Sequence, residues 1–447
     1  MYDLIVIGGG PGGYMAAERA GHAGLDVLLV EKNALGGVCL NEGCIPSKTL
    51  LQSAKVYDYA LHGEAYGVSV QGASLDHRFV IERKNKVVDT LVSGVKSLMK
   101  ANRVTVVYGE AHIVDNTHIR VDDEVYQAKR LIIATGSIPI IPPIDGVAEA
   151  LKLGSVITSR EILDLQEIPE RLVVIGGGVI GLEMAAYYNT AGSKVTVIEM
   201  LPGIGGAIDP EISTILMKSY QRKGVEFILG SRVTGVTDKR VISERGEAAA
   251  DKVLLSIGRK PAIEGIGLEN TGVITERGAI RTDLRGQTSV PNIYAIGDVN
   301  GKYMLAHAAY REAEVAVNHI LGKKDIMRYE AVPSVIYTSP EVASVGDTQD
   351  AAQAKGILCD CVNVPMVYSG RYLAENTVTD GICKIVVNKE HRNLIGVHMI
   401  GSYVSEIILS ACAMIEMQMR VEDIKELVFP HPTVSEMIRE AVFRLDS

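Results

Sequence analysis

Two cysteines with the spacing of a redox pair lie near the N-terminus of the chain. Cys39 and Cys44 are separated by four residues in the stretch Gly36–Lys48, which reads GGVCLNEGCIPSK. A tight loop or a single distorted helical turn can hold two Cα atoms about 4.4–6.8 Å apart, as a disulfide requires. Pro46 and the apolar pattern after it predict a helix that opens just past Cys44, where the helix N-terminus favours a thiolate. We therefore predict that Cys44 is the stabilised thiolate and Cys39 the exchanging thiol, although the spacing alone also fits two unrelated buried cysteines.

The composition indicates a globular protein of several domains. Its 447 residues suggest about three domains, with 47% hydrophobic and 22% charged residues. A formal charge of −9 disfavours a nucleic-acid-binding surface, and no apolar run is long enough to predict a membrane-spanning helix. The N-terminus enters a strand at once, so we expect no signal peptide and a cytoplasmic location. Six cysteines do not make a disulfide scaffold in such a chain, so one close pair in a reducing cytoplasm is expected to be catalytic.

The first 31 residues carry a dinucleotide-binding pattern. The apolar run Leu4–Ile7 predicts a buried parallel strand, and Gly8, Gly10 and Gly13 then form GxGxxG before an alanine-rich helix pattern. A second strand ends at Glu31. The glycines permit a tight turn and close approach to a pyrophosphate, and the acidic side chain accepts hydrogen bonds from ribose hydroxyls.

The same pattern returns 168 residues later. Gly176, Gly178 and Gly181 form the second GxGxxG, and the strand that follows ends at Glu199. The offset between the two glycine motifs equals the offset between the two glutamates, so the chain contains an internal repeat. Two dinucleotide sites beside a dithiol predict electron transfer between two cofactors and sulfur.

The sequence also indicates which cofactor each site holds. Glu199 suits a free ribose 2′-hydroxyl, and residues 199–212 contain no Lys, Arg or His for a 2′-phosphate, so the second site favours NAD over NADP. Gly258 lies in a strand–glycine pattern over residues 253–261, and we assign it to the same NAD site. The first site lies beside the cysteines, and we therefore expect it to hold a flavin.

Further candidate cofactor contacts follow two predicted strands. Ala134, Thr135 and Gly136 lie in the stretch 131–139, which predicts a strand entering a glycine turn and the exit from the first domain, unless it is an ordinary turn. Asp298 ends a strand predicted over 292–299, where it can bind a polyol hydroxyl or instead cap the next helix. Ahead of a predicted helix that runs to residue 321 stand Leu305, Ala306 and His307.

From about residue 331 the pattern changes to an α+β domain without a glycine fingerprint. Near its end, Glu436 follows His431 by five residues, so the pair fits a base and the carboxylate that orients it. A structural histidine between two prolines is the alternative that this stretch leaves open.

The remaining cysteines give weaker signals. Cys359 and Cys361 form a CxC pair on a predicted strand, which lacks the further ligands that a metal needs, so we predict a structural role and no metal site. Cys383 and Cys412 lie in apolar runs typical of a protein core.

Together these stretches resemble the pyridine nucleotide–disulfide oxidoreductase family, from Tyr2 to Glu440 and with each motif in family order. The resemblance implies an α/β fold with two Rossmann-like dinucleotide-binding domains, for FAD and NAD, and a C-terminal α+β dimerisation domain. We expect the FAD domain at 1–143 and 263–330, the NAD domain at 144–262 and the dimerisation domain at 331–447. The implied FAD contacts include the residues named above together with Lys48. One departure is Phe429-Pro430, where many members carry His-Ala before the catalytic histidine.

The resemblance also implies roles for the site residues. Cys39 is expected to attack substrate sulfur, and Cys44 to form the charge-transfer thiol against the flavin. His431, oriented by Glu436, is expected to act as acid and base from the other subunit, which implies a homodimer. Lys48 is expected to pair with Glu183 near the flavin, where a partly buried salt bridge without a direct catalytic role is the alternative.

The implied reaction is oxidation of dihydrolipoamide by NAD⁺, with electrons passing through the cysteine pair and FAD. The expected partner is a lipoyl-bearing protein of a 2-oxoacid dehydrogenase or glycine cleavage complex. Glutathione or trypanothione reduction is disfavoured by the missing 2′-phosphate binders, and mercuric ion reduction by a tail, RLDS, without a cysteine pair. A non-catalytic redox flavoprotein is the alternative from a different class, and the retained cysteine and His/Glu pairs speak against it.

Overall fold

The computed structural model describes residues 1–446, so only Ser447, the last residue of the RLDS tail, lies outside it. Residues 1–446 contain three five-stranded sheets and four smaller ones. The first region alternates strands and helices. Its strands are β1 (Leu4–Ile7), β2 (Val27–Glu31), β3 (Thr105–Tyr108), β4 (Ala111–Ile113), β5 (His118–Val121), β6 (Glu124–Gln127), β7 (Leu131–Ile133) and β8 (Ser137–Pro139). Its helices are α1 (Pro11–His22), α2 (Gly37–Glu42), α3 (Cys44–Leu61) and α4 (His77–Ala101).

The second region repeats the pattern of the first, and a short third region follows it. The second region's strands are β9 (Val156–Ile157), β10 (Arg171–Ile175), β11 (Lys194–Glu199), β12 (Glu226–Leu229), β13 (Val233–Thr237), β14 (Arg240–Ser243), β15 (Gly246–Ala249), β16 (Lys252–Leu255) and β17 (Arg259–Pro261), and its helices are α5 (Val147–Leu153), α6 (Val179–Thr190) and α7 (Pro210–Arg222). The third region contains β18 (Thr275–Glu276), β19 (Ala279–Ile280), β20 (Ile293–Ala295) and α8 (Ala306–Ile320).

The C-terminal region has longer strands and several helices. Its strands are β21 (Ser334–Ile336), β22 (Glu341–Gly346), β23 (Cys359–Pro365), β24 (Ile382–Asn388) and β25 (Leu394–Gly401). Its helices are α9 (Gln349–Ala354), α10 (Gly370–Glu375), α11 (Val404–Glu416), α12 (Val421–Lys425) and α13 (Glu436–Phe443).

The first sheet is parallel and has the strand order β20-β7-β1-β2-β3. All four residues of β1 are buried, because both faces of a parallel sheet are covered and only an apolar run is stable there. Leu4 pairs with Val27 and Ile5 with Leu131, which fixes the register around the first glycine loop. Since β20 joins this sheet, the chain returns to the first sheet after forming the second region.

The second sheet is also parallel, with the order β12-β11-β10-β16-β9. Its central strand β10 leads into the second glycine loop as β1 leads into the first. The internal repeat of the sequence is therefore a repeat of structure, and the predicted fold of two Rossmann-like units is confirmed. The limits of the domains at 143/144, 262/263 and 330/331 stay predictions.

The third large sheet is antiparallel, with the order β21-β22-β25-β24-β23. One of its faces packs against α11 and α13 through buried apolar residues such as Ile385, Val397, Ile408 and Ile438. The predicted α+β character of this region is confirmed. Within residues 1–446, no helix combines the length and the apolar content that crossing a bilayer requires.

Candidate active site

The glycine loop after β1 is crowded where it turns and open where it faces outward. Gly8 has a φ of +103°, and a Cβ there would lie 2.4 Å from the carbonyl oxygen of Ala134. A Cβ on Gly13 would lie 1.7 Å from the carbonyl oxygen of Gly8, whereas one on Gly10 would meet nothing closer than 3.8 Å. Since α1 begins directly after Gly10, its free N–H groups face this open side, which fits a pyrophosphate.

The second glycine loop repeats these contacts. Gly176 has a φ of +105°, and a Cβ there would lie 2.5 Å from the carbonyl oxygen of Ser256. A Cβ on Gly181 would lie 2.2 Å from the carbonyl oxygen of Gly176, and one on Gly178 would have nothing within 4 Å. The loop before α6 therefore has the same cradle as the loop before α1, and both fit the phosphates of a dinucleotide.

The two glutamates that end β2 and β11 hold these loops in place. Glu31 Oε2 accepts a hydrogen bond from Gly9 N at 2.7 Å, and Glu199 Oε2 accepts one from Gly177 N at 2.6 Å. Each carboxylate therefore closes its own glycine loop, in addition to the ribose contact that we predict from sequence. Binding to ribose hydroxyls stays a prediction for both residues.

The turn at residues 134–136 lies behind the first glycine loop. The predicted strand enters a glycine turn here, since β7 ends at Ile133 and β8 begins only at Ser137. Thr135 Oγ1 donates a hydrogen bond to the carbonyl oxygen of Ala262 at 2.7 Å. Gly136 has a φ of +74°, and a Cβ there would have no atom within 4 Å, so this part of the turn is open.

Asp298 lies in a short 3-10 turn rather than at the end of a strand. The strand predicted over 292–299 ends at Ala295, because Gly297 has a φ of +72°, which is incompatible with an extended strand. Asp298 Oδ2 accepts a hydrogen bond from the Ser137 hydroxyl at 2.5 Å, and Ser137 Oγ accepts one from Arg259 Nε at 2.8 Å. The hydrogen bond from Ser137 therefore orients the side chain of Asp298.

Four further predicted cofactor contacts stand at the start of α8 and after β16. Leu305 is the N-cap of α8, which begins at Ala306. His307 is exposed, and its Nε2 lies 2.7 Å from the carbonyl oxygen of Pro333, so it joins the start of α8 to the C-terminal region. Gly258 has a φ of +114° after β16. Contact of these residues with FAD or NAD stays a prediction.

The two cysteines lie in consecutive helices. Cys39 is in the six-residue helix α2, and Cys44 is the first residue of α3, with Gly43 as its N-cap. The helix therefore begins at Cys44 itself, one residue earlier than predicted. Both cysteines are free thiols and partly buried in this structure.

The environment of the pair separates the acidities of the two thiols. A hydrogen bond from the Cys39 thiol is the largest influence on Cys44, and with the nearby Lys48 ammonium it lowers the pKa of Cys44 to about 7 against the opposing effect of burial. The same hydrogen bond and burial raise the pKa of Cys39. At neutral pH the pair therefore carries its negative charge on Cys44.

Lys48 lies one turn after Cys44 on α3 and forms a two-pronged ion pair with Glu183 of α6. The Nζ–Oε distances are 3.0 and 2.9 Å, and the Glu183 side chain is only 4% exposed. Glu183 Oε1 also accepts a hydrogen bond from Tyr337 N at 3.1 Å, and Lys48 Nζ lies 4.5 Å from the centre of the Tyr337 ring. This cluster thus joins the first, second and C-terminal regions beside the cysteines.

A pair of tyrosines lies next to the cysteines and is not predicted from the sequence. Tyr14 on α1 and Tyr310 on α8 have their hydroxyl oxygens 2.5 Å apart and their ring centres 5.9 Å apart. Burial, followed by this hydrogen bond and the charges of Cys39 and Cys44, raises the pKa of Tyr14. Tyr14 directly follows the first GxGxxG, a position that signals proximity to the site, whereas nothing in the sequence pairs it with Tyr310.

His431 and Glu436 form the predicted pair, but at a separate place on the chain. His431 Nδ1 lies 2.9 Å from Glu436 Oε1, while Glu436 Oε2 accepts a hydrogen bond from Thr433 N at 2.9 Å. The His431 side chain is 77% exposed. Within residues 1–446 the structure joins Cys39 and Cys44 to the Lys48 cluster, but it gives His431 no contact with either cysteine.

The comparison with known proteins agrees with this geometry. The sequence model of the family described as pyridine nucleotide-disulphide oxidoreductase matches residues 2–313, and the model of that family's dimerisation domain matches residues 332–442. Dihydrolipoyl dehydrogenase of Mycoplasma pneumoniae is 40% identical to this chain, over 98% of this chain and 97% of that protein. The dihydrolipoyl dehydrogenase of Bacillus subtilis is also 40% identical, over 100% of this chain and 98% of that protein.

Solved structures show the same architecture. LpdA of Mycobacterium tuberculosis has a TM-score of 0.90 at 26% identity, covering 99% of both chains. The HOCl-induced flavoprotein disulfide reductase RclA of Escherichia coli has a TM-score of 0.87 at 27% identity, again over 99% of both chains. The chain therefore belongs to the pyridine nucleotide-disulphide oxidoreductase family, as a flavoprotein disulfide oxidoreductase whose cofactors are FAD and NAD.

Proposed function

We propose that this enzyme oxidises dihydrolipoamide to lipoamide and transfers the electrons to NAD⁺. The observation that carries the proposal is the thiol pair itself, with Cys44 at the start of α3, in hydrogen-bond contact with Cys39 and close to the Lys48–Glu183 ion pair. A dithiol substrate requires such a pair, since one sulfur must be attacked while the other leaves as a thiolate. The 40% identity to curated dihydrolipoyl dehydrogenases over nearly the full chain supports this substrate.

The cysteines carry out two successive thiol–disulfide exchanges. A substrate thiolate attacks Cys39 in the Cys39–Cys44 disulfide, the disulfide bond breaks, and Cys44 leaves as a thiolate. The second substrate thiolate then attacks the substrate sulfur of the mixed disulfide, which closes lipoamide and frees Cys39. The substrate dithiol is oxidised by two electrons and the protein disulfide is reduced by two. Because its pKa is raised, the freed Cys39 sulfur takes up one of the two substrate protons.

His431 takes the other substrate proton. Its Nδ1 lies 2.9 Å from Glu436 Oε1, which leaves Nε2 as the nitrogen that accepts the proton. Because His431 is exposed and belongs to the region that matches the dimerisation domain, we place it in the active site of a second copy of the chain. The active enzyme is accordingly a homodimer with two sites, each built from both subunits.

The residues around the two glycine loops hold the cofactors. Gly8, Gly10, Gly13, Glu31, Lys48, the turn 134–136, Asp298 and residues 305–307 bind FAD, whereas Gly176, Gly178, Gly181, Glu199 and Gly258 bind NAD. When bound, the flavin supplies a two-electron relay between the dithiol and NAD⁺. The Lys48–Glu183 ion pair holds the Lys48 ammonium in place beside Cys44. The absence of Lys, Arg and His from residues 199–212 favours NAD over NADP.

The lipoyl group arrives on a partner protein. We propose a lipoyl-bearing component of a 2-oxoacid dehydrogenase or glycine cleavage complex, since free dihydrolipoamide and a lipoyl-lysine side chain share the same dithiol. Activity on a lipoylated domain in addition to free dihydrolipoamide is the measurement that supports this partner.

The test of the substrate is an anaerobic single-turnover experiment with the purified holoenzyme. Mixing with dihydrolipoamide and then NAD⁺ is expected to form lipoamide and NADH in equal amounts. Cys39→Ser should abolish both products, because the attacked sulfur is gone. A holoenzyme that oxidises NADH with another disulfide but does not react with dihydrolipoamide would retain the family and refute the substrate.

A second experiment tests the two-subunit site. Cys39→Ser and His431→Gln are each expected to be inactive alone. When the two variants are co-expressed, random pairing makes about half of the dimers mixed, and one of the two sites in each mixed dimer is complete, so about a quarter of wild-type activity should return. If His431 acted within its own chain, no mixture would recover activity.

A further inference from the structure

A second pair of thiols lies outside the active site. Cys359 and Cys361 stand on β23, the edge strand of the C-terminal sheet, and both are partly exposed. The proposed reaction does not use them. From sequence we predict a structural role, but the structure adds how the two side chains are arranged.

The two thiols share one face of the strand and contact each other. Alternate residues of a strand point to the same side, and Cys359 lies opposite Asn388 while Cys361 lies opposite Val386 on β24. The Cys359 and Cys361 side chains are hydrogen-bonded to one another. Burial, together with the neighbouring thiol, raises the pKa of Cys361 to about 11. Both side chains are partly exposed, so solvent reaches this dithiol.

The strand geometry favours an ion between the sulfurs over a direct bond. A rise of about 3.3 Å per residue separates the two Cα atoms by about 6.6 Å, at the upper end of the range for disulfides, about 4.4–6.8 Å. A metal ion between two thiolates spans a wider gap than an S–S bond of about 2.05 Å. Among the residues that the structure describes, no group of three or more His, Cys, Asp and Glu side chains is arranged to hold a metal, so a four-ligand zinc site is not formed.

We propose that Cys359 and Cys361 bind one Cu(I) ion in two-coordinate geometry. Cu(I) is a soft ion that selects thiolates, and two sulfurs complete its linear coordination. The bis-thiolate complex is an anion, and the Lys384 ammonium on the same face of β24 contributes an attractive charge, part of which Asp209 offsets by its ion pair at 2.8 Å. Copper binding by this pair is independent of which substrate the active site oxidises.

Binding is a ligand exchange without a change in oxidation state. The S–H bonds of Cys359 and Cys361 break, two Cu–S bonds form, and two protons pass to the solvent. Copper stays Cu(I) and both sulfurs stay reduced, so the step requires no oxidant. Metal binding therefore releases two protons for each ion bound.

The test is anaerobic Cu(I) titration of the full-length holoenzyme in competition with the chelator bathocuproine disulfonate. The protein carries Cys39→Ser and Cys44→Ser, because the active-site pair is also a soft ligand pair. We expect one Cu(I) per chain and an X-ray absorption spectrum with two sulfur neighbours. Cys359→Ser or Cys361→Ser in this background should each weaken binding more than 100-fold, beyond the loss of about 10- to 100-fold typical of removing an outer-shell partner.

Cys412→Ser is the matched control, because it removes one buried thiol from α11 without touching β23. This variant should bind Cu(I) like its parent. Flavin absorbance and the thermal unfolding midpoint establish that each variant is folded. Cu(I) binding that survives Cys359→Ser and Cys361→Ser, or no binding by the folded parent, would overturn the proposal.

Discussion

Replacement of Cys39 by alanine is expected to remove the main reason for the acidity of Cys44. The hydrogen bond from Cys39 is the largest influence that lowers the pKa of Cys44, and burial is the largest that opposes it. Alanine cannot donate a hydrogen bond, so burial then opposes only the smaller effect of Lys48 and of the backbone. Cys39→Ser retains a donor and should lose only part of the shift.

The size of the effect follows from the two pKa values. Cys44 titrates at about 7 in the intact pair, against an ordinary value of 9.0 for a cysteine. Cys39→Ala is expected to return the pKa to about 9, a change of two units or about 2.7 kcal/mol in the stability of the thiolate. At pH 7 the thiolate fraction of Cys44 should therefore fall from about one half to about one hundredth.

The assay is the rate of Cys44 alkylation by iodoacetamide in the anaerobically reduced holoenzyme, measured from about pH 5 to pH 10. Mass spectrometry follows the Cys44 peptide separately from the Cys39 peptide. The midpoint should move by two units in Cys39→Ala and by less in Cys39→Ser, while Cys412→Ala leaves it unchanged. A midpoint that stays near 7 in Cys39→Ala would refute the hydrogen bond as the cause of the acidity.

Three further substitutions test the surroundings of the site. Lys384→Met removes the ammonium that pairs with Asp209, whose carboxylate is 2% exposed and 2.8 Å from Lys384 Nζ. We expect the free energy of unfolding to fall by about 3 kcal/mol, measured by thermal unfolding. Glu312→Gln replaces a buried carboxylate that accepts a hydrogen bond from Gly297 N at 2.6 Å, and should weaken FAD binding to the apoprotein about tenfold, measured by flavin fluorescence. Glu199→Gln removes the charge that repels a 2′-phosphate, so the KM for NADPH should fall relative to the KM for NADH in steady-state assays.

Control variants accompany the substitutions of Lys384 and Glu312. Arg240→Met breaks an exposed ion pair with Glu247 and should cost less than about 1 kcal/mol, so equal losses for Arg240→Met and Lys384→Met would contradict the burial argument. Glu314→Gln, two residues from Glu312 and half-buried beside Arg19 and Arg311, should leave FAD binding unchanged. An unaltered NADPH to NADH ratio in Glu199→Gln would show that the cofactor preference has another origin.

The strands and glycine loops were readable from local sequence. The strand predicted over Leu4–Ile7 has the same ends in the structure, because four consecutive apolar residues before a glycine turn are stable only in a covered parallel sheet. The glycines at Gly8 and Gly176 are required by backbone conformations with φ near +100°, which other residues rarely adopt. These constraints act within a few residues, so a sequence pattern is sufficient to reveal them.

Boundaries were less predictable where a single side chain or glycine decides them. Helix α4 begins at His77, because the Asp76 carboxylate caps it by accepting a hydrogen bond from Phe79 N at 3.1 Å. The strand predicted through Asp298 ends earlier, at Gly297 with its positive φ. The hydrophobic pattern alone does not contain this information.

The local features of the site follow from the amino-acid sequence alone, because their members lie close along the chain. These features are the cysteine pair, the two dinucleotide loops and the His431–Glu436 pair. Only tertiary packing decided the contacts around them. Tyr14 and Tyr310 lie 296 residues apart and meet because α1 packs on α8. Likewise, Tyr337 reaches Glu183 across 154 residues. Such contacts depend on how whole helices and sheets stack, and that arrangement follows from the burial of apolar surface over the entire chain rather than from any local pattern.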